Sequence, residues 1–185
     1  MDEPIRAFVE AIARVDDPRV VAGLLAGLAS NRDYFEPIIA PIDPDEMGGL
    51  ALHVPDEGPR LFLMHRPKGV MSYVHSHGTW AAVAPITGVE THRSYRVVGE
   101  PADGKAELRV AEELRLTPGA AAVVVPPHDV HSHGHAGGED DSPFTLIVTG
   151  EDQTRFARRE YDVGAGTYRD LPPGDFGTLN LPPGG

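Results

Sequence analysis

Two short segments of this chain carry six of its nine histidines: Tyr73-Val74-His75-Ser76-His77-Gly78-Thr79-Trp80, and Pro126-Pro127-His128-Asp129-Val130-His131-Ser132-His133-Gly134-His135. Neutral imidazole is the commonest side-chain ligand of divalent metals. Side chains two apart on a β-strand face the same side, so His75 and His77 can offer two rings to one ion. The plain alternative for a lone His-x-His is a surface pair. The flanks argue against it, because Val70, Met71, Tyr73 and Val74 precede the pair and Trp80, Ala81, Ala82 and Val83 follow it. Such a segment is one that folding buries, and buried imidazoles need partners. A metal ion would supply one.

Other chemistries are closed by composition. The chain has no cysteine, which excludes disulfides, thiolate ligands and a cysteine nucleophile. Any metal therefore sits on histidine or carboxylate. Sixteen Lys and Arg stand against 28 Asp and Glu, a formal charge of −12, which repels phosphate backbones. The expected partner is a small molecule and not a nucleic acid. No stretch approaches the roughly 20 apolar residues of a membrane helix, and Met1-Asp2-Glu3-Pro4 lacks the order of a secretory signal. No membrane partner and a cytoplasmic location are the expectations.

The elements that must position these residues change character along the chain. Ile5, Phe8, Val9 and Ile12 recur at helical spacing, and Val20, Val21, Leu24, Leu25 and Leu28 follow Asp17-Pro18, where proline suits a helix's first turn. From about Leu61 the texture is antiparallel β: short Val-, Leu-, Thr- and aromatic-rich runs broken by Gly, Pro and Asp. Strands are expected near 61–66, 70–76, 80–86, 91–98, 107–116, 120–125 and 143–149, a number that suggests a barrel or sandwich. Residues 134–143 form a polar connection, and the Pro- and Gly-rich end from Pro172 reads as loop. With 185 residues and 41% hydrophobic content the chain suits one domain: a helical segment over 1–45, a β-barrel over 46–170 and a tail over 171–185.

The two histidine segments resemble the paired motifs of the cupins. The first cupin motif is His-x-His, then often Glu, then Gly; here Ala81 stands in the Glu place and Gly88 closes it. The second is similar to Pro-x-Gly-x-x-His, matched by Pro126 to His131 with His128 in place of the glycine. The resemblance covers about half the chain. It implies a mainly β double-stranded β-helix, or jelly-roll barrel, preceded by α-helices, with His131 as third ligand beside His75 and His77. A three-histidine site without a carboxylate leaves positions open for substrate and dioxygen, which suits Fe(II); Zn, Ni or Mn are the alternatives.

Within the cupins, His75-Ser76-His77-Gly78-Thr79-Trp80 resembles the His-Asp-His-x-x-Trp segment of the thiol dioxygenases, which oxidise a thiol to a sulfinate. Two departures stand out. The Ser-x-His-x-Tyr triad of the bacterial enzymes is replaced by Thr145, Ile147 and Thr149, and the absence of cysteine removes the Cys–Tyr cross-link of the animal ones. A thiol carboxylate would need a cation, and Arg60, Arg66, Arg96 and Arg158 are candidates. The resemblance favours Arg60 and Arg158.

Around this core, His128 is a fourth ligand, a proton carrier behind the ligands or a residue at the cavity rim, with the last two preferred. Trp80 and Tyr73 line the cavity or pack the core. His133 and His135 are expected in solvent, and no motif surrounds His53, His65 or His92. Three readings compete: an Fe(II) oxygenase taking a small thiol and dioxygen; a non-oxidative isomerase, lyase or hydrolase; and a non-catalytic small-molecule-binding cupin. Each is compatible with a monomer or a homodimer. His75→Ala, His77→Ala and His131→Ala should each abolish metal retention in elemental analysis, whereas His53→Ala should not. Full retention in His131→Ala would move the third ligand to His128 or His133.

Overall fold

A computed structural model describes residues 2–138 and 140–175. Three helices come first: α1 (Glu3–Ile12), α2 (Pro18–Ala29) and α3 (Arg32–Ile39). Pro18 stands at the start of α2, and Asp17 caps that helix by accepting from the Arg19 N–H at 2.9 Å. No helix among the described residues is long and apolar enough to cross a membrane.

The strands are β1 (Gly48–His53), β2 (Arg60–His65), β3 (Val74–His75), β4 (Ala81–Thr87), β5 (Glu90–Ala102), β6 (Lys105–Leu116), β7 (Ala122–Val124), β8 (His131–Gly134), β9 (Phe144–Thr149), β10 (Arg158–Asp162) and β11 (Thr167–Leu171). One antiparallel sheet has the order β1-β2-β9-β4-β7. The other, β10-β11-β6-β5-β8-β3, closes on itself where β3 pairs with β10. This is the mainly β jelly-roll with leading helices that the cupin resemblance implies.

Several details differ from the sequence expectation. The run expected over 70–76 pairs as a strand only at Val74–His75, with a single bridge from Met71 to Gly134. β1, β8, β10 and β11 were not anticipated. β8 and β10 are histidine- or arginine-rich, and their strand character comes from ladder partners and not from β-propensity. Of the Pro- and Gly-rich end, residues 176–185 lie outside the described residues.

Period-2 alternation divides the labour of the first sheet. Leu61 and Leu63 of β2, Ala82, Ala84 and Ile86 of β4, and Leu146 and Val148 of β9 pack against Phe8, Val21, Leu25, Phe35 and Ile39 of the helices. The intervening residues Phe62, Met64, Ile147 and Thr149 face the other way, into a cavity. The helices cover one face of the sheet, and the site lies on the other. Leu146 is fully buried in the helix-facing core whereas Leu50 is 42% exposed. Leu146→Ala should therefore cost about 2–5 kcal/mol and Leu50→Ala under about 0.5 kcal/mol, read from urea denaturation midpoints.

Candidate metal centre

β8 runs between β3 and β5, and its register brings the two histidine segments together. His131 pairs with His75 on one side and with Ser94 on the other, and His133 pairs with His92. Alternation then sends Ser132 to the opposite face, where its hydroxyl meets Tyr95 Oη at 3.2 Å.

The Nε2 atoms of His75, His77 and His131 converge. They stand 3.1 Å apart for His75 and His77 and 2.8 Å for His77 and His131, and one ligand atom from each lies within 4.8 Å of the others. All three residues are buried. Nitrogens about 2.1 Å from an ion and at right angles to one another stand about 3 Å apart, so the spacing fits three adjacent positions around one cation. The tautomers agree: the Tyr73 carbonyl can only accept, so His75 donates to it from Nδ1 at 2.8 Å and turns its Nε2 lone pair inward. His131 Nδ1 meets His92 Nε2 at 2.9 Å. His77 Nδ1 is buried without a hydrogen bond. Burial lowers the pKa of His75 to about 4 and holds His77 and His131 well below the usual imidazole range, where the ring is neutral. That is the ligating form.

The loop carrying His77 is clamped from several sides. Asp129, buried, accepts the N–H groups of both His77 and Gly78 on one carboxylate oxygen, at 2.8 and 2.9 Å. The Ser76 N–H donates to Arg159 O at 3.0 Å, and the Arg159 N–H donates to Ser76 Oγ at 2.9 Å. Gly78 has φ of +69°, and a Cβ there would lie 2.5 Å from Phe156 Cβ. Only glycine meets both demands.

Behind His131 lies a second polar cluster. His133 Nδ1 meets Glu90 Oε1 at 2.5 Å, and Thr145 Oγ1 donates to Glu90 Oε2 at 2.8 Å. Burial pushes the Glu90 carboxyl up, opposed first by the Arg66 cation and then by the Thr145 hydroxyl. Burial pushes His133 well down.

His75, His77 and His133 share a cavity of about 220 Å³ whose apolar wall includes Phe62, Met64 and Met71. Arg66 also lines it, crossing Gly134 so closely that a Cβ there would meet its Cδ at 2.8 Å. Arg66 makes no ion pair among the described residues, and burial lowers its pKa against the pull of Glu90. The volume suits a molecule of a few heavy atoms.

The structure brings His75, His77 and His131 together and places Tyr73 at the cavity mouth, 60% exposed. It separates the other expected residues from the cavity lining. His128 is exposed in the turn closed by the Val125–His128 bridge. Trp80 packs against the helix-facing core and over Gly150, whose absent Cβ leaves room for its indole. Arg60 is ion-paired with Asp152 at 3.0 Å, and Arg158 is buried with its guanidinium on Asp175 O.

His133 and His135, expected in solvent, are both buried, because β8 extends the His131 ladder inward. His135 spends its ring on the backbone, accepting from the N–H groups of Gly69 and Gly137 on Nδ1. Glu90, His92 and Gln153 lie outside the motifs, and Asp129 occupies an unspecified position within the second one; the one signal in the sequence was Glu90 and His92 at alternate positions of a strand.

No protein-family model and no curated protein sequence matches this chain. Similar solved structures include a cupin superfamily protein from Desulfitobacterium hafniense, 13% identical with a TM-score of 0.44, covering 62% of this chain and 87% of that one. A cupin-like protein from Thermotoga maritima is 18% identical with a TM-score of 0.43, covering 65% and 84%. A DMSP lyase from Ruegeria pomeroyi is 17% identical with a TM-score of 0.41, covering 62% of this chain and 51% of that one.

The buried rings make the metal-free protein acid-sensitive. His75 and His92 titrate near 4 when folded against 6.5 when free. As pH falls the unfolded chain takes up these protons first, so stability is present above about 6.5 and lost between 6.5 and 4. Each ring contributes up to about 3 kcal/mol. Urea midpoints measured from pH 7.5 to 4 should fall steadily; a flat profile would contradict neutral burial.

Proposed function

We propose that this chain is a mononuclear metal-dependent enzyme of cupin type, an Fe(II) oxygenase similar to the thiol dioxygenases, acting on a small anionic thiol. The observation that carries this reading is the convergence of three neutral imidazoles, with no carboxylate among them, two of which line a small, largely apolar cavity that Arg66 also lines. A metal held by His75, His77 and His131 would supply the redox chemistry that adds both atoms of dioxygen to a thiol sulfur, giving a sulfinate.

The chain's own residues account for the remaining tasks. His75, His77 and His131 would hold the ion. Arg66 offers a forked guanidinium to a substrate carboxylate, the role the family resemblance favoured for Arg60 and Arg158. Phe62, Met64 and Met71 exclude water around the sulfur. With Nδ1 held by Glu90, His133 has Nε2 left to accept a hydrogen bond from the substrate. The same dyad favours a second reading, a non-oxidative lyase or isomerase in which His133 Nε2 would take a proton from carbon and a metal held by the three histidines would supply Lewis-acid chemistry.

Oxygen uptake with a panel of small thiols, using iron-loaded and zinc-loaded protein, separates the two readings. Iron-dependent consumption of one O2 per sulfinate supports the oxygenase; turnover with zinc and without oxygen supports the second reading. Arg66→Met should raise KM for a carboxylate-bearing substrate roughly 10- to 100-fold, as expected for loss of a charged hydrogen-bonded pair, and leave KM for an uncharged thiol nearly unchanged.

A further inference from the structure

Two buried atoms of the site lack hydrogen bonds, and they belong to neighbouring side chains: His77 Nδ1 and Gln153 Oε1. A buried imidazole nitrogen and a buried amide oxygen without partners each cost stability. Gln153 lines the same cavity as His77, and its carboxamide lies beside the His77 ring.

The backbone that carries Gln153 is built to hold it there. Gln153 opens a 3₁₀ turn (Gln153–Arg155) capped by Asp152, whose Oδ1 accepts from the Thr154 N–H at 3.0 Å and from its hydroxyl at 2.7 Å. Asp152 is in turn gripped by Arg60 at 3.0 Å. On either side, the chain lies against the loop of the first histidine pair. The Gly150 N–H donates to Trp80 O at 2.9 Å, and Phe156 fills the space that a side chain at Gly78 would need. The turn is thus docked on the His77 loop at both ends, with Gln153 between the contacts.

We propose that the Gln153 carboxamide is the positioning group for His77. Its Oε1 accepts the Nδ1–H and thereby turns the Nε2 lone pair toward the point where the three rings meet. Each ligand ring then has its own partner at Nδ1: the Tyr73 carbonyl for His75, His92 for His131 and Gln153 for His77. A partner on the far nitrogen fixes the tautomer and ring orientation and raises ligand basicity. This assignment gives Arg60 a purpose, since its ion pair with Asp152 steadies the turn that presents the amide. The proposal rests on the metal-centre reading of the preceding section.

The test is zinc affinity by chelator competition for wild type, Gln153→Leu and Gln153→Glu, with the histidine ¹⁵N spectrum of each zinc-loaded form. Gln153→Leu should bind zinc about 10- to 100-fold more weakly, and its His77 Nδ1–H should exchange rapidly with water. Gln153→Glu restores an acceptor and should recover both affinity and a protected Nδ1–H, a rescue that a merely structural role would not produce. If Gln153→Leu does not fold, Gln153→Ala carries the same expectation without added apolar bulk. Wild-type affinity in the Leu or Ala variant, or no recovery in Gln153→Glu, overturns the proposal. Wild type that binds no zinc overturns the metal-centre reading, and this proposal with it.

Discussion

Imidazole, carboxylate and guanidinium groups taken out of water must find partners, and that requirement organises the space between the two sheets. His75, His77, His92, His131, His133 and Glu90 are all buried there, with Arg66 beside them. The protein meets the demand by tethering the outward nitrogens. Tyr73 O, His92 and Glu90 engage Nδ1 of His75, His131 and His133. The Nε2 atoms of His75, His77 and His131 are left facing one another, where a cation would satisfy all three. An ion there would take up, as coordination bonds, the three lone pairs that the protein turns toward one point.

That arrangement depends on a division of faces. Along β2 and β9, leucine and valine alternate with residues that line the cavity. Stability drawn from the helix-facing core is thereby separated from the polar face that the site needs, and a change on one face leaves the other's packing in place. The helices pack on the first sheet, whose other face forms one wall of the cavity.

Charge placement follows the same economy of partners. Arg60 and Arg158 are engaged within the protein, by Asp152 and by the Asp175 carbonyl. Arg66 answers to Glu90 only at a distance, so its fork remains available to an anion entering the cavity. Glu90 keeps the interior from carrying unbalanced positive charge and at the same time orients His133. The three-ring cluster has no carboxylate among its ligand atoms, so the acidic group of this interior, Glu90, stands one step away from it, on His133.

Much of this was readable in the residues. The spacing of His75 and His77, their apolar flanks and the Pro126–His131 segment pointed to a three-histidine cluster, and the periodicity of Ile5, Phe8 and Ile12 and of the later β runs pointed to helices before a barrel. Those signals are local, carried by side-chain alternation within one element. The identity of the cavity arginine, the burial of His133 and the pairing of Glu90 with it were not readable, because they depend on register between strands far apart in the chain, and a shift of one residue would reverse every face. The same holds for Gln153, whose meaning arises only when the 150–157 segment docks on the loop of His77. Local pattern chose the ligand types and the architecture; long-range pairing chose which neighbours complete them.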